Sequence, residues 1–377
     1  MTAHKKLAGL IIPLYFSLQT ISCSTPGERF SPETLKGPGI NVALLTGVEE
    51  VSLSGSGLRV IDNGKDLLQG RSNITVNMGN NGILVDGRLV KSERLAFGGK
   101  DISVNGRPYR GSISVIRERG ALTVINSLGL EGYLMGIINH EISSRWPLAS
   151  VKAQAVAART YAYLKLKSAG EAPYHLKASV LDQVYGGSLS EDERVQKAVN
   201  ETEGEVLFYE GTIARTLYHS SCGGQTESAV HVWGEDFPYL RSVEDSYCTE
   251  APNYFWIYRT DFASILESLR KKGHLPGKGP HSIKIFQQSE SGRIKKILLA
   301  GVQLSGNELR ELMGYENIKS TLFSLEIKGN EIIFSGSGFG HGVGMCQWGA
   351  RGMALSGMNY KDILTYYYKG TYIRRVY

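Results

Sequence analysis

Over residues 40–126 apolar and polar positions alternate in short runs: "INVALLT", "GLRVID", "NITVNM", "GILVDGRLV", "DISVNG", "ISVIRE" and "ALTVINS", separated by Gly, Asn and Asp. A period of two in runs rich in β-branched residues predicts antiparallel strands. At "LGLEGYLMGIINHEI" the apolar spacing becomes helical, and after "SSRWP" a long helix is predicted over 148–167. A third helix is predicted in "SEDERVQKAVNETEG", with Ser190 ahead of first-turn acids and Gly204 past the end. "EVLFYEG" and "TIARTLYHSS" then read as strands, and "RTDFASILESLRKKG" as an amphipathic helix. "HSIKIFQQSESGRIKKILLAGVQL" reads as a hairpin turning at "SESG", "GNELRELMG" as a short helix and "FSLEIKGNEIIFSG" as a second hairpin. Two helices precede "TYIRRVY". Strands and helices are grouped rather than strictly alternating, which predicts an α+β fold.

The helix over 148–167 has two narrow polar stripes instead of one broad wet face. At one hundred degrees per residue, Lys152, Arg159 and Tyr163 share a sector, and Ser150, Gln154 and Tyr161 lie nearly opposite. Val151, Ala155, Ala158 and Ala162 make a small-residue face for tight packing. A helix apolar nearly all round is a buried helix. Buried cations need anionic partners, so by themselves Lys152 and Arg159 read first as pairing with core carboxylates, or as stems lying on apolar surface with wet heads.

The segment around that helix changes the reading. "EGYLMGIINHEISSRWPLASVKAQAVAARTYAY" resembles the signature of the stage II sporulation protein D (SpoIID/LytB) family of peptidoglycan lytic transglycosylases and their non-sporulation relatives. Four further stretches fit it in order: "DQVYGG" at 182–187, "YHSSCGGQTES" at 218–228, "VWGEDFPYLRSVEDSYC" ending at Cys248, and "GSGFGHGVGMCQWGARGMA" at 336–354. The likeness runs from about residue 130 onward, and the β-rich region before it carries no matching motif. The resemblance implies that Glu141 is the catalytic acid and that Lys152 and Arg159 line a glycan cleft. It extends the substrate-binding set to Gln183, Tyr185, His219, Ser221, Thr226, Glu227, His341 and Gln347. Without it, Glu141 would read as an ordinary solvated or helix-terminal acid.

The chemistry so implied needs one carboxyl group. It protonates the glycosidic oxygen between N-acetylmuramic acid and N-acetylglucosamine. The muramyl 6-hydroxyl then attacks intramolecularly, giving a 1,6-anhydro end, and the same carboxylate takes up the proton. Two-carboxylate hydrolysis has no such internal nucleophile. The acid must be protonated near neutral pH, which burial favours and a nearby cation opposes. Lys152 and Arg159 are therefore expected to bond sugar oxygens or a different acid rather than Glu141.

"GSGFGHGVG" has Gly at every second position from Gly336 to Gly344, so one face of an extended chain would carry no side chains. It lacks the Gly-Lys-Ser/Thr ending of a phosphate loop and the βαβ setting of a dinucleotide site. Tyr133, Trp146, Tyr185, Trp233 and Trp348 are candidate sugar platforms, with Tyr185 favoured by its motif.

Export sets the remaining expectations. "MTAHKK" followed by "LAGLIIPLYFSLQTIS" is a secretory leader pattern, too short to span a membrane comfortably. It stops at Cys23 before the polar run "STPGERFSPETLKGPG", resembling a bacterial lipoprotein signal with Cys23 as the lipidated residue, although Thr20 departs from the usual apolar residue. The net charge of +6 falls to +4 once Lys5 and Lys6 leave with the leader, which suits an anionic envelope and is too weak to indicate nucleic acid. In an oxidising compartment Cys222 and Cys248 are expected as a disulfide, with zinc on His219, Cys222, Cys248 and a fourth candidate, His231, as the alternative. Cys346 is expected as a small packed side chain. No cofactor is expected.

The sequence thus predicts a leader (1–22), a linker (23–39), a β-rich region (40–126) and a SpoIID-like catalytic region (127–377). The expected protein is envelope-facing and lipid-anchored, and cuts glycan strands stripped of stem peptides beside a cell-wall amidase. The alternative is a non-catalytic peptidoglycan-binding protein that stimulates an N-acetylmuramoyl-L-alanine amidase.

Overall fold

The computed structural model describes residues 37–179, 182–277 and 282–377. The leader, Cys23 and most of the expected linker lie outside the described residues. Nine strands follow in order: β1 (Gly39–Val48), β2 (Glu50–Asp62), β3 (Lys65–Gly79), β4 (Gly82–Val85), β5 (Arg88–Val90), β6 (Arg94–Val104), β7 (Arg107–Pro108), β8 (Ser112–Glu118) and β9 (Ala121–Gly129). They form one sheet in the order β1-β9-β8-β6-β2-β3-β4-β5, with β7 beside β6. All these pairings are antiparallel. Register shifts in the β1–β9, β2–β3 and β2–β6 ladders add twist and curl the sheet. The inner positions of the alternating pattern, Leu53, Leu58, Val60, Phe97, Val115 and Val124, are fully buried in its core.

The β1 edge carries the rest of the molecule. α1 (Leu130–Met135), α2 (Ile138–Glu141) and α3 (Leu148–Ser168) follow β9 directly, and β10 (Leu176–Lys177) adds to β1 in parallel. Ile40, Val42 and Leu128 from the sheet pack with Leu134, Ile138, Val151 and Ala155 from the helices. That second layer explains why almost every residue of β9 is buried on both faces. α3 is enclosed by α1, α4 (Glu193–Glu201), β11 (Glu205–Tyr209) and, from the far end of the chain, α8 (Gln347–Leu355) and α9 (Tyr360–Tyr367). Its fully buried alanines, among them Ala153, Ala157 and Ala158, allow this close approach. The cap of α4 is Asp192, accepting from the Val195 N–H at 2.9 Å, and not Ser190. Ser190 sits in a 3-10 turn, Gly187–Ser190, before it.

Between these parts lies an α/β unit with its own core. It comprises β14 (Phe255–Asp261), α6 (Phe262–Lys271), β15 (Ile283–Gln288), β16 (Ile294–Leu299), β17 (Val302–Ser305), α7 (Gly306–Met313), β18 (Phe323–Lys328) and β19 (Glu331–Ser337). Trp256, Ile265, Ile297, Leu309 and Phe334 bury against one another there. Both expected hairpins form, and β14, unread in the sequence, pairs along all of β19. No helix among the described residues is long and apolar enough to cross a membrane.

Candidate functional site

Glu141 ends α2, the four-residue helix before the turn into α3. The α4 N-terminus fixes that turn. Asn139 Nδ2 donates to Ser190 O and to Asp192 Oδ2, both at 2.8 Å, while its Oδ1 accepts from the Ser144 N–H at 3.1 Å. Arg194 donates to Ser144 O at 2.7 Å and to Trp146 O at 2.9 Å.

The Glu141 carboxyl is partly buried, and loss of water pushes its pKa from 4.5 up to about 7. The Val184 backbone N–H and the Gln347 and Tyr218 side chains hydrogen-bond to it and pull the other way, less strongly. Tyr218 and Gln347 reach Glu141 from a short parallel pair. β13 (Tyr218–His219) aligns with β20 (Met345–Cys346), and Gln347 follows β20 at once. A relay orients the phenol: Tyr133 Oη donates to Gln183 Oε1 at 3.0 Å, and Gln183 Nε2 donates to Tyr218 Oη at 2.9 Å. The Tyr218 hydroxyl proton is then left for the carboxylate. Gln347 Nε2 also donates to Gln154 Oε1 at 3.4 Å, and the Gln154 amide nitrogen, fully buried, has no protein partner.

The polar stripe of α3 on the Glu141 side is therefore the one bearing Gln154, not the cationic one. Arg159 has no exposed surface. It pairs with Glu131 through two bonds of 2.8 and 2.7 Å, and its other donors reach Thr202, Val199 O and Glu205 O. Every donor is used within the protein. Lys152 pairs with Glu201 at 2.5 Å, an acid on α4. The structural reading of both cations is the one the fold adopts.

Other expected substrate contacts also prove internal. Tyr185 is buried between Tyr109 and Tyr133, with its hydroxyl on Asn126 Oδ1 at 3.0 Å, so no face is free to stack on a sugar. Gln183 is buried and acts through Tyr218. Thr226 is tied to Val243, its hydroxyl oxygen accepting from the Val243 N–H at 2.8 Å. Glu227 accepts from the Ser228 N–H, His231, Ser289 and Ser291, which leaves it nothing for a ligand. Sequence reasoning missed Tyr218, Gln154 and Arg293. The stripe opposite the cations was the signal that could have found Gln154, Tyr218 stood within a matched motif, and Arg293 lay outside every motif.

His219, Ser221 and His341 form a second group. His219 Nδ1 donates to Val343 O at 3.1 Å, and its buried Nε2 has no partner, nor has Ser221 Oγ. His341 Nδ1 accepts from the Val343 N–H at 3.0 Å. Burial holds both rings neutral, helped at His341, at about 4, by Arg310 and Arg293, and at His219, well below its usual value, by the His341 ring and Arg293. His341 packs edge-on against Trp233, which is half-exposed. Arg293, from the β15–β16 turn, lies behind them. A Cβ on Gly342 would stand 2.6 Å from its guanidinium carbon, so only glycine fits there.

Cys222 and Cys248 are free thiols with sulfurs 3.4 Å apart rather than the expected disulfide. Neither His219 nor His231, the histidines of the alternative zinc set, belongs to the group of ligand atoms that converges on the two sulfurs. Cys346 and Asp245 converge on the two sulfurs instead.

The family model described as "Stage II sporulation protein" (SpoIID) matches residues 118–209, which hold α1–α4 and Glu141. A "Domain of unknown function" (DUF8618) matches residues 239–344, which include the α/β unit. An uncharacterized protein of Brachyspira hyodysenteriae is 35% identical over 310 residues, 81% of this chain and 83% of that one. The stage II sporulation protein D of Bacillus subtilis is 30% identical over 76% of this chain and 87% of its own length. The amidase enhancer of the same organism is 28% identical over 72% of this chain and 44% of its own. Shared sequence along most of this chain and of stage II sporulation protein D places this protein in the SpoIID family.

Proposed function

We propose that this protein cleaves peptidoglycan glycan strands without water, with Glu141 as acid and then base. The observation that carries the reading is a single carboxyl group whose burial raises its pKa to about 7 and whose bonding partners are an amide, a phenol and a backbone N–H, none of them cationic. Half of such a group is protonated at neutral pH, as a general acid requires. After proton transfer, the Tyr218 and Gln347 donors stabilise the carboxylate formed, which can then accept the proton of the muramyl 6-hydroxyl. Trp233 and His341 offer an aromatic rim on which a sugar ring can stack.

Incubating denuded glycan strands with the protein and analysing products by mass spectrometry tests this. Anhydro-muramyl ends are expected, and Glu141→Gln should lose them. Reducing ends derived from water would mean a hydrolase. The likeness to an amidase enhancer supports a second reading, a binder that stimulates an amidase. It requires no products from glycan alone and a faster amidase when the protein is added. We further propose export and lipidation at Cys23. A Cys23→Ala protein that remains membrane-bound in cell fractions would remove the anchor.

A further inference from the structure

From the convergence of three thiols and one carboxylate behind β13, we propose that Cys222, Asp245, Cys248 and Cys346 bind one zinc ion as a structural site. Their ligand atoms all lie within 4.8 Å of one another and all four residues are buried. Cys222 Sγ is 3.4 Å from Cys248 Sγ and 3.1 Å from Asp245 Oδ2. In a tetrahedral site with Zn–S of about 2.3 Å, neighbouring ligand atoms stand roughly 3.8 Å apart. Side-chain adjustments of no more than about an ångström therefore seat the ion.

The surroundings are those of charged sulfur. Two backbone N–H groups, of Cys222 and Gly349, point at Cys346 Sγ, each at 3.3 Å. Asp245 is oriented by the Tyr247 N–H on Oδ1 at 2.9 Å and the Tyr367 hydroxyl on Oδ2 at 2.8 Å, the outer bonds that position a metal-binding carboxylate. Arg293 is buried with Nε and Nη1 unpartnered, and the acidic groups acting on it are Cys222, Glu227, Cys346 and Cys248. A three-thiolate, one-carboxylate zinc centre carries two net negative charges, and this guanidinium offsets one. A Cys222–Cys248 disulfide would leave Cys346 and Asp245 with no joint role and Arg293 facing neutral sulfur.

The ligands come from three segments distant in sequence: the turn after β13, the 245–248 loop and β20. The ion would tie β13 to β20, the pair that holds Tyr218 and Gln347 on Glu141.

Purifying the full chain without chelator and measuring metal by mass spectrometry tests the site, with about one zinc per chain expected. Replacement by cobalt should give the intense thiolate-to-cobalt charge-transfer absorption, which needs no variant to fold. Cys346→Ser should bind zinc at least tenfold more weakly, and chelation should lower the melting temperature of the wild type by more than that of Cys346→Ser. Two results would overturn the proposal: a cross-linked Cys222–Cys248 peptide in a non-reducing digest of zinc-free protein, or reduced thiols that take up neither zinc nor cobalt.

Discussion

Glu141 is the residue whose behaviour is most open to measurement. Its folded pKa of about 7 lies above the ordinary 4.5, so between those values the folded state holds the proton more tightly than the unfolded chain. Stability therefore falls as pH rises from about 4.5 to 7 and levels off above, by at most about 3 kcal/mol. Glu141→Gln should flatten that slope and be the more stable protein at pH 8, as thermal melts at several pH values will show. For the proposed chemistry the sign is the same: kcat/KM should fall above pH 7, where the acid is ionised, and Glu141→Gln should lose about 100-fold or more. Arg159 behaves differently. Glu131→Gln leaves a fully buried guanidinium without its counter-ion, and should cost about 3–5 kcal/mol by urea unfolding. The affinity of whatever folds for glycan should be unchanged.

At the scale of elements, α3 shows how far periodicity reaches. The wheel located both polar stripes, and alanine content indicated burial. It could not say which stripe faces the site, because that depends on α4 bringing Glu201 to Lys152, α1 bringing Glu131 to Arg159, and α8 bringing Gln347 to Gln154. The β15–β16 hairpin makes the same point. Its turn was legible as "SESG", but not that the turn docks on Glu227 through Ser289 and Ser291 and delivers Arg293 under Gly342. Replacing both serines by Ala removes two donors from a buried carboxylate and should cost about 2–4 kcal/mol in chemical denaturation. Gly342→Ala adds a methyl group against Arg293 at a φ of +85° and should destabilise more than the same change at Gly357, where nothing lies close.

At the scale of the whole molecule, the site is assembled from distant parts of the chain. α2 supplies Glu141, β13 supplies Tyr218 and α8 supplies Gln347. β21 (Tyr372–Arg375) pairs with β11, and the Tyr377 hydroxyl reaches Glu131. Removing residues 372–377 should therefore loosen the α3 surroundings, seen as faster limited proteolysis within 193–209, while the curled sheet stays resistant. By itself the sequence determined the local structure. Alternation gave strands and helical spacing gave helices because each follows from neighbours a few residues away, and ordered motifs indicated the family and the glutamate. Tertiary structure alone decided which polar groups meet. It gave Arg159 to Glu131, sealed Tyr185 between two tyrosines and drew Cys346 and Asp245 to the Cys222–Cys248 pair. Burial and hydrogen-bond pairing here join segments from 28 to 124 residues apart, and no local pattern records those distances.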